Sequence, residues 1–232
     1  LSSLPKKQQD KTIERLVSEE AHTSFNLASG PLFRAKLLAI SSQEHILLIT
    51  MHHIISDGWS MGIFFREFSA LYNAYALDQD PDLPPLPIQY ADFTLWQREY
   101  LKGETLEKQL SYWKKTLSGI PALLALPTDK VRPKELSYKG GYYEYHIPKE
   151  IKEKLHSLSQ QYNCSLFMTL LTFFTVLLKR YSGQDDIVIG SPIANRNYKE
   201  IEGLIGFFIN TLPLRSTFKG DETFIDVLKQ VK

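Results

Sequence analysis

A single cysteine in 232 residues, Cys164, excludes an internal disulfide framework and a multi-cysteine zinc site. Charge of one sign is missing as well: 27 Lys and Arg stand against 26 Asp and Glu. With no long basic run, neither nucleic acid nor an anionic membrane surface is indicated as a partner. No apolar run approaches the ~20 residues that span a bilayer, and the opening residues do not read as a secretory signal. These features fit a reducing cytoplasm. The sequence contains no internal repeat and no low-complexity tract, and it does not begin with Met. It starts in mid-pattern, so a piece of a longer protein is expected. What it does have is 43% apolar and 12% aromatic residues, ample for a core at this length.

Periodicity places the elements. Ile13, Leu16, Val17 and Ala21 recur at helical spacing within residues 8–24. Gly30-Pro31 marks a turn. Phe33, Ala35, Leu37 and Ala39 then alternate with Arg34 and Lys36 as a half-buried strand would, and "SSQE" reads as a hairpin loop leading into "HILLITMHH". From Trp59 to Tyr75, Ile63, Phe64, Phe68, Leu71 and Tyr72 mark one helix face, expected to be core. One or two further helices fill residues 91–119. Residues 127–141, rich in Pro, Gly and charge, form the candidate linker between residues 1–126 and 142–232. Beyond it "YYEYHI" alternates like a strand, a helical region interrupted near "YNCS" follows, "DIVIG" and "GFFINTLPLR" read as strands, and "ETFIDVLKQVK" starts a helix. Strands and helices mixed in two blocks predict an α/β or α+β fold with two subdomains.

The adjacent histidines of "MHHIISDGWS" are the sharpest chemical feature. If the strand runs to its end, His52 and His53 point to opposite faces, so one can reach a cleft while the other packs. That geometry disfavours chelation of a metal by both rings. A neutral imidazole accepts a proton near physiological pH. Asp57 can hold a ring in one tautomer or pair with a distant arginine, and Gly58 removes a side chain where the backbone turns.

The same stretch resembles the HHxxxDG signature of nonribosomal peptide synthetase condensation domains. "YADFTLWQ" at 90–97 and "IGFFINTLPLR" at 205–215 resemble the family's next motifs, in the same order. The resemblance covers essentially the whole chain, while the family's first two and last two motifs are absent from it. It therefore implies the central part of a condensation domain, in which both subdomains are incomplete. The fold it implies is a pair of chloramphenicol-acetyltransferase-like subdomains in a V with a tunnel between them.

The resemblance implies amide formation between a donor acyl or peptidyl thioester and the amino group of an acceptor aminoacyl thioester. Both are carried on the phosphopantetheine of carrier proteins, so donor and acceptor peptidyl carriers and a neighbouring adenylation domain are the partners implied. No cofactor is bound directly. The nucleophile arrives with the substrate, which fits a chain whose lone Cys164 sits at the start of an apolar helix and reads as core. His53 is implied as the catalytic residue, with His52, Asp57, Gly58 and Arg196 as structural support. Arg196 is the implied partner of Asp57, a pair expected to tie the two subdomains together. Asn210 is a candidate for binding substrate carbonyls, whereas Tyr90, Asp92 and Trp96 read as packing residues. Two rivals remain. One is an acyltransferase of the same fold that uses CoA, and the other is a domain that only docks carrier proteins, the latter more serious for so short a chain. The chain on its own is expected to be inactive and to self-associate.

Overall fold

The computed structural model describes every residue except Leu136, Tyr138 and Lys139. Helices and strands mix as the patterning predicts. Helix α1 (Lys6–His22) precedes strands β1 (Phe33–Ala39) and β2 (His45–Met51), and a single 3-10 turn (His53–Ile55) leads into α2 (Gly58–Ala76). Next come α3 (Tyr90–Tyr100), α4 (Gly103–Thr116), α5 (Lys149–Gln161) and α6 (Leu166–Ser182). Strand β3 (Asp186–Ile193), the one-turn helix α7 (Lys199–Glu202), strand β4 (Asn210–Thr217) and helix α8 (Phe224–Val231) complete the order.

The chain divides into two compact units. The first joins Leu1–Leu101 with Ile193–Asn210, and the second joins Lys102–Pro192 with Thr211–Lys232. The segment 127–141 falls inside the second unit, and three of its residues lie outside the described ones. Residues 193–210, placed by sequence in the later block, belong with the first hundred residues.

In the first unit, β1 and β2 form an antiparallel hairpin with Phe33 opposite Met51 and Ala39 opposite His45. Its loop is set by Ser41, whose Oγ accepts from the backbone N–H groups of Gln43 and Glu44. The apolar positions of α1 are only partly covered. Its buried residues are Gln9 and Glu20. Gln9 donates to the Ile40 carbonyl, and Glu20 accepts from Arg34 on β1 at 2.5 Å and from Lys36 at 3.2 Å. The helix is thus fastened to the hairpin by polar contacts. On α2 the buried residues are Ser60 and Ile63, while Phe64, Phe68 and Tyr72 stack along the surface and Tyr72 and Tyr75 are exposed. The face expected to be core is therefore mostly open. A small core gathers Phe93, Ile201, Leu204 and Phe208, with Ile88 packed against it.

In the second unit, β3 pairs with β4, and the Phe218 N–H donates to the Asp185 carbonyl, so the end of β4 lies beside the start of β3. Helix α6 begins at Ser165, whose side chain accepts from the Met168 N–H, and ends at Gly183, whose φ of 68° suits glycine. It packs on α5 and α8, and Ser159 and Thr169 share a buried hydrogen bond between α5 and α6. Two local expectations change. "YYEYHI" forms no strand: Tyr142, Tyr143 and Tyr145 are exposed, and alternation without a pairing partner does not make a sheet. "GFFINTLPLR" enters β4 only at Asn210, leaving Gly206–Ile209 as irregular backbone committed elsewhere.

Candidate active site

Strand β2 ends at Met51; the His52 backbone N–H still donates to the Leu32 carbonyl in the register of the hairpin, and the chain winds into the 3-10 turn from His53. His53 lies in the turn, so the alternation of strand faces does not govern its direction. His52 caps the turn, its Nδ1 accepting from the Ile54 N–H at 3.0 Å, with its ring edge-on to Phe25. His53 opens the turn and is exposed. Its Nδ1 lies 2.6 Å from the Ser56 carbonyl oxygen. A carbonyl only accepts, so Nδ1 carries the hydrogen and the lone pair sits on Nε2. The His53 ring also meets Phe207 edge-on, with centroids 5.3 Å apart.

Asp57 makes no hydrogen bond to either histidine. It caps α2, accepting from the Ser60 N–H at 2.9 Å. The same oxygen takes Ser60 Oγ at 2.7 Å and Arg196 Nη2 at 3.2 Å, and the other oxygen accepts from the Phe208 N–H at 3.0 Å. Burial pushes the carboxyl upward. The Phe208 N–H, Ser60 and the Arg196 charge outweigh it and hold Asp57 below the usual aspartate range. Arg196 also donates through Nη1 to the carbonyls of Ile201 and Leu204, and its guanidinium lies 4.0 Å from the Phe208 ring centroid. Both side chains are almost completely buried. The ion pair lies within the first compact unit, so it does not join that unit to the second.

Ser60 and Gly206 were not singled out by the sequence. Ser60 is fully buried, and its hydroxyl lies within hydrogen-bond distance of Asp57, Arg196 and both the carbonyl and N–H of Gly206. A Cβ on Gly206 would stand 2.3 Å from Tyr90 Cδ2, so only glycine fits. A small polar residue three positions after an N-cap aspartate, on an otherwise apolar helix face, was the available signal for Ser60. For Gly206 no local signal existed.

Tyr90 donates to the Phe207 carbonyl at 2.8 Å, Asp92 caps the start of α3 through the Gln89 N–H, and Trp96 packs on Tyr100 and Tyr198. These are packing roles. Gly58 is the first residue of α2, and a Cβ there would meet nothing within 4 Å. Asn210 is exposed at the start of β4. Cys164 is half-buried with its thiol directed to the Tyr162 carbonyl. Among the described residues no group of three or more His, Cys, Asp or Glu is placed to hold a metal, and no single helix is long and apolar enough to cross a membrane.

The family model described as the condensation domain matches residues 1–232. The chain belongs to the condensation domain family. This condensation domain is 47% identical over 232 residues to one of the linear gramicidin synthase proteins of Brevibacillus parabrevis, covering all of the chain and 3% of that protein. It is 46% identical over 224 residues to malpinin synthetase of Mortierella alpina, covering 97% of the chain and 4% of the synthetase. Among solved structures, the X-domain from teicoplanin biosynthesis in complex with OxyB superposes with a TM-score of 0.87 at 28% identity, over 95% of this chain and 50% of that one. The holo four-domain peptide synthetase AB3403 shares the fold, with a TM-score of 0.82 at 24% identity over 95% of this chain and 16% of that one. The chain thus spans a few per cent of these curated relatives and half of the matched X-domain chain.

Proposed function

We propose that this condensation domain, within its parent synthetase, forms an amide between a donor acyl or peptidyl thioester and an acceptor aminoacyl thioester, both held on carrier-protein phosphopantetheine. The observation that carries the reading is the exposed His53 ring with Nδ1–H committed to Ser56 and the Nε2 lone pair left to act. In this scheme the acceptor amine attacks the donor thioester carbonyl, and a C–N bond forms while the C–S bond breaks. Nε2 of His53 orients the amine and takes its proton, which leaves with the departing thiol. Asp57, Ser60 and Arg196 act on structure: all donors to Asp57 are accounted for without a histidine, which argues against a relay through the carboxylate. Asn210 is assigned to substrate carbonyls on its exposed position. The partners proposed are donor and acceptor peptidyl carriers and an adjoining adenylation domain, in the cytoplasm.

The test is His53→Ala in the intact synthetase, with carrier-bound substrates and the dipeptidyl thioester followed by mass spectrometry. Loss of general-base assistance is expected to cost about 10²–10⁴-fold in rate, with the melting midpoint nearly unchanged because the ring is exposed and gives up only its bond to Ser56 and its contact with Phe207. Undiminished condensation would overturn the assignment. A second reading, a domain that docks a partner protein without chemistry, draws support from the similarity to the X-domain solved with OxyB. It requires that His53→Ala leave product formation by the synthetase intact.

A further inference from the structure

The segment Gly206–Phe208 is irregular backbone, yet it is held at every residue. Gly206 offers both its N–H and its carbonyl to the buried Ser60 hydroxyl, at 3.0 and 2.9 Å. The Phe207 carbonyl accepts from Tyr90 Oη at 2.8 Å, and the Phe208 N–H donates to Asp57 at 3.0 Å. The Tyr90 ring fills the space where a Gly206 side chain would be. Between these fixed points the Phe207 side chain turns outward, and its ring meets the His53 imidazole at 84° with centroids 5.3 Å apart. An edge-on aromatic contact at this distance has a preferred geometry. The bond from Nδ1 to Ser56 holds one ring nitrogen, and the contact with Phe207 adds a second point of restraint on the imidazole.

We propose that Phe207 is a positioning residue for His53, and that Ser60 acts through it. The hydroxyl of Ser60 fixes the Gly206 backbone, this sets Phe207, and Phe207 limits the swing of the imidazole so that Nε2 meets the amine in one orientation. The proposal rests on the reading of His53 given above. A misplacement of about 1 Å at a reacting group costs up to roughly 10²-fold in rate, so loss of this restraint has a measurable consequence without loss of any group that touches substrate.

The experiment uses the intact synthetase with Phe207→Ala, Phe207→Tyr and Ser60→Ala, measuring kcat and KM for the acceptor-loaded carrier. Peptide mapping follows the rate at which diethyl pyrocarbonate modifies His53 relative to His22. Phe207→Ala is expected to lower kcat about tenfold at unchanged KM and melting midpoint, and to raise the His53 modification rate severalfold. Phe207→Tyr is expected to restore both, and Ser60→Ala to shift both in the same direction as Phe207→Ala. Wild-type kcat in Phe207→Ala, or a loss of kcat with unchanged His53 modification, overturns the proposal. If Ser60→Ala fails to fold, Phe207→Ala decides alone, since its side chain is exposed. If His53→Ala is itself fully active, the functional reading fails, and the His53 modification rates still decide whether Phe207 positions the ring.

Discussion

Each compact unit contains an aspartate–arginine pair that also closes the end of a helix, and the two pairs differ in their access to water. In the second unit Arg215 holds Asp186 with two hydrogen bonds, Nε at 3.0 Å and Nη2 at 2.7 Å, and its Nη1 takes the carbonyls of Thr116 and Ser118 just at and beyond the end of α4. In the first unit Arg196 meets one oxygen of Asp57 at 3.2 Å and takes the carbonyls of Ile201 and Leu204 around the end of α7. By ion-pair geometry alone the Asp186 pair is the better one. Yet its side chains remain about one-fifth exposed, at 21% and 22%, against 0% and 1% for Asp57 and Arg196. Water can replace a lost partner of Arg215. It cannot reach Arg196, so burial rather than bond count decides which pair the fold depends on.

The largest effect that tests this contrast is Asp57→Asn. It leaves the Arg196 charge buried without its counter-charge, and unfolding free energy is expected to fall by about 3–5 kcal/mol in denaturant titration. A loss no greater than that of Asp186→Asn would break the comparison. Next comes Gly206→Ala, which forces a methyl against the Tyr90 ring. Overpacking of this kind costs about 1–3 kcal/mol, readable as a lowered melting midpoint. No close contact opposes the same change at Gly58, where a Cβ meets open space.

Acid titration sharpens the contrast. The folded-state pKa of Asp57 is depressed, so the stability it contributes is fully present above the unfolded value of about 3.9 and is lost as pH falls through the folded value. Melting midpoints of the wild type should therefore drop below about pH 4 more steeply than those of Asp57→Asn. Parallel curves would show that Asp57 ionises alike in both states. The smallest effect is expected for Asp186→Asn. The carboxylate bonded to Arg215 raises the arginine's pKa, but the pair is partly open to solvent and therefore partly screened, so the stability difference from wild type should shrink between about 0.1 and 1 M salt. A salt-independent loss larger than that of Asp57→Asn would invert the ranking.

The elements were legible where the signal is local. The alternation of 33–39, the "SSQE" loop and the helical spacing within residues 8–24 depend on neighbours within a few residues, and the hairpin and α1 form there. The motif around His53 and Asp57 was legible for the same reason, since it is one short stretch. "YYEYHI" misled because alternation is necessary for a half-buried strand but does not supply the partner, and the aromatic face of α2 misled because periodicity says which residues share a side and not what covers it.

By itself, the sequence determined the helix and strand periods, the turn chemistry, and the histidine-bearing motif that places the chain in its family. The tertiary structure decided what those residues touch. It turned His53 out of the strand into a 3-10 turn, gave its Nδ1 hydrogen to Ser56, and brought Arg196, Gly206 and Phe208 to Asp57 and Ser60 across separations of 136 to 151 residues. Hydrogen-bond periods along a backbone are set by residues a few positions apart. A buried polar group takes whichever partners the packed chain brings within about 3 Å, and no local pattern encodes which they are.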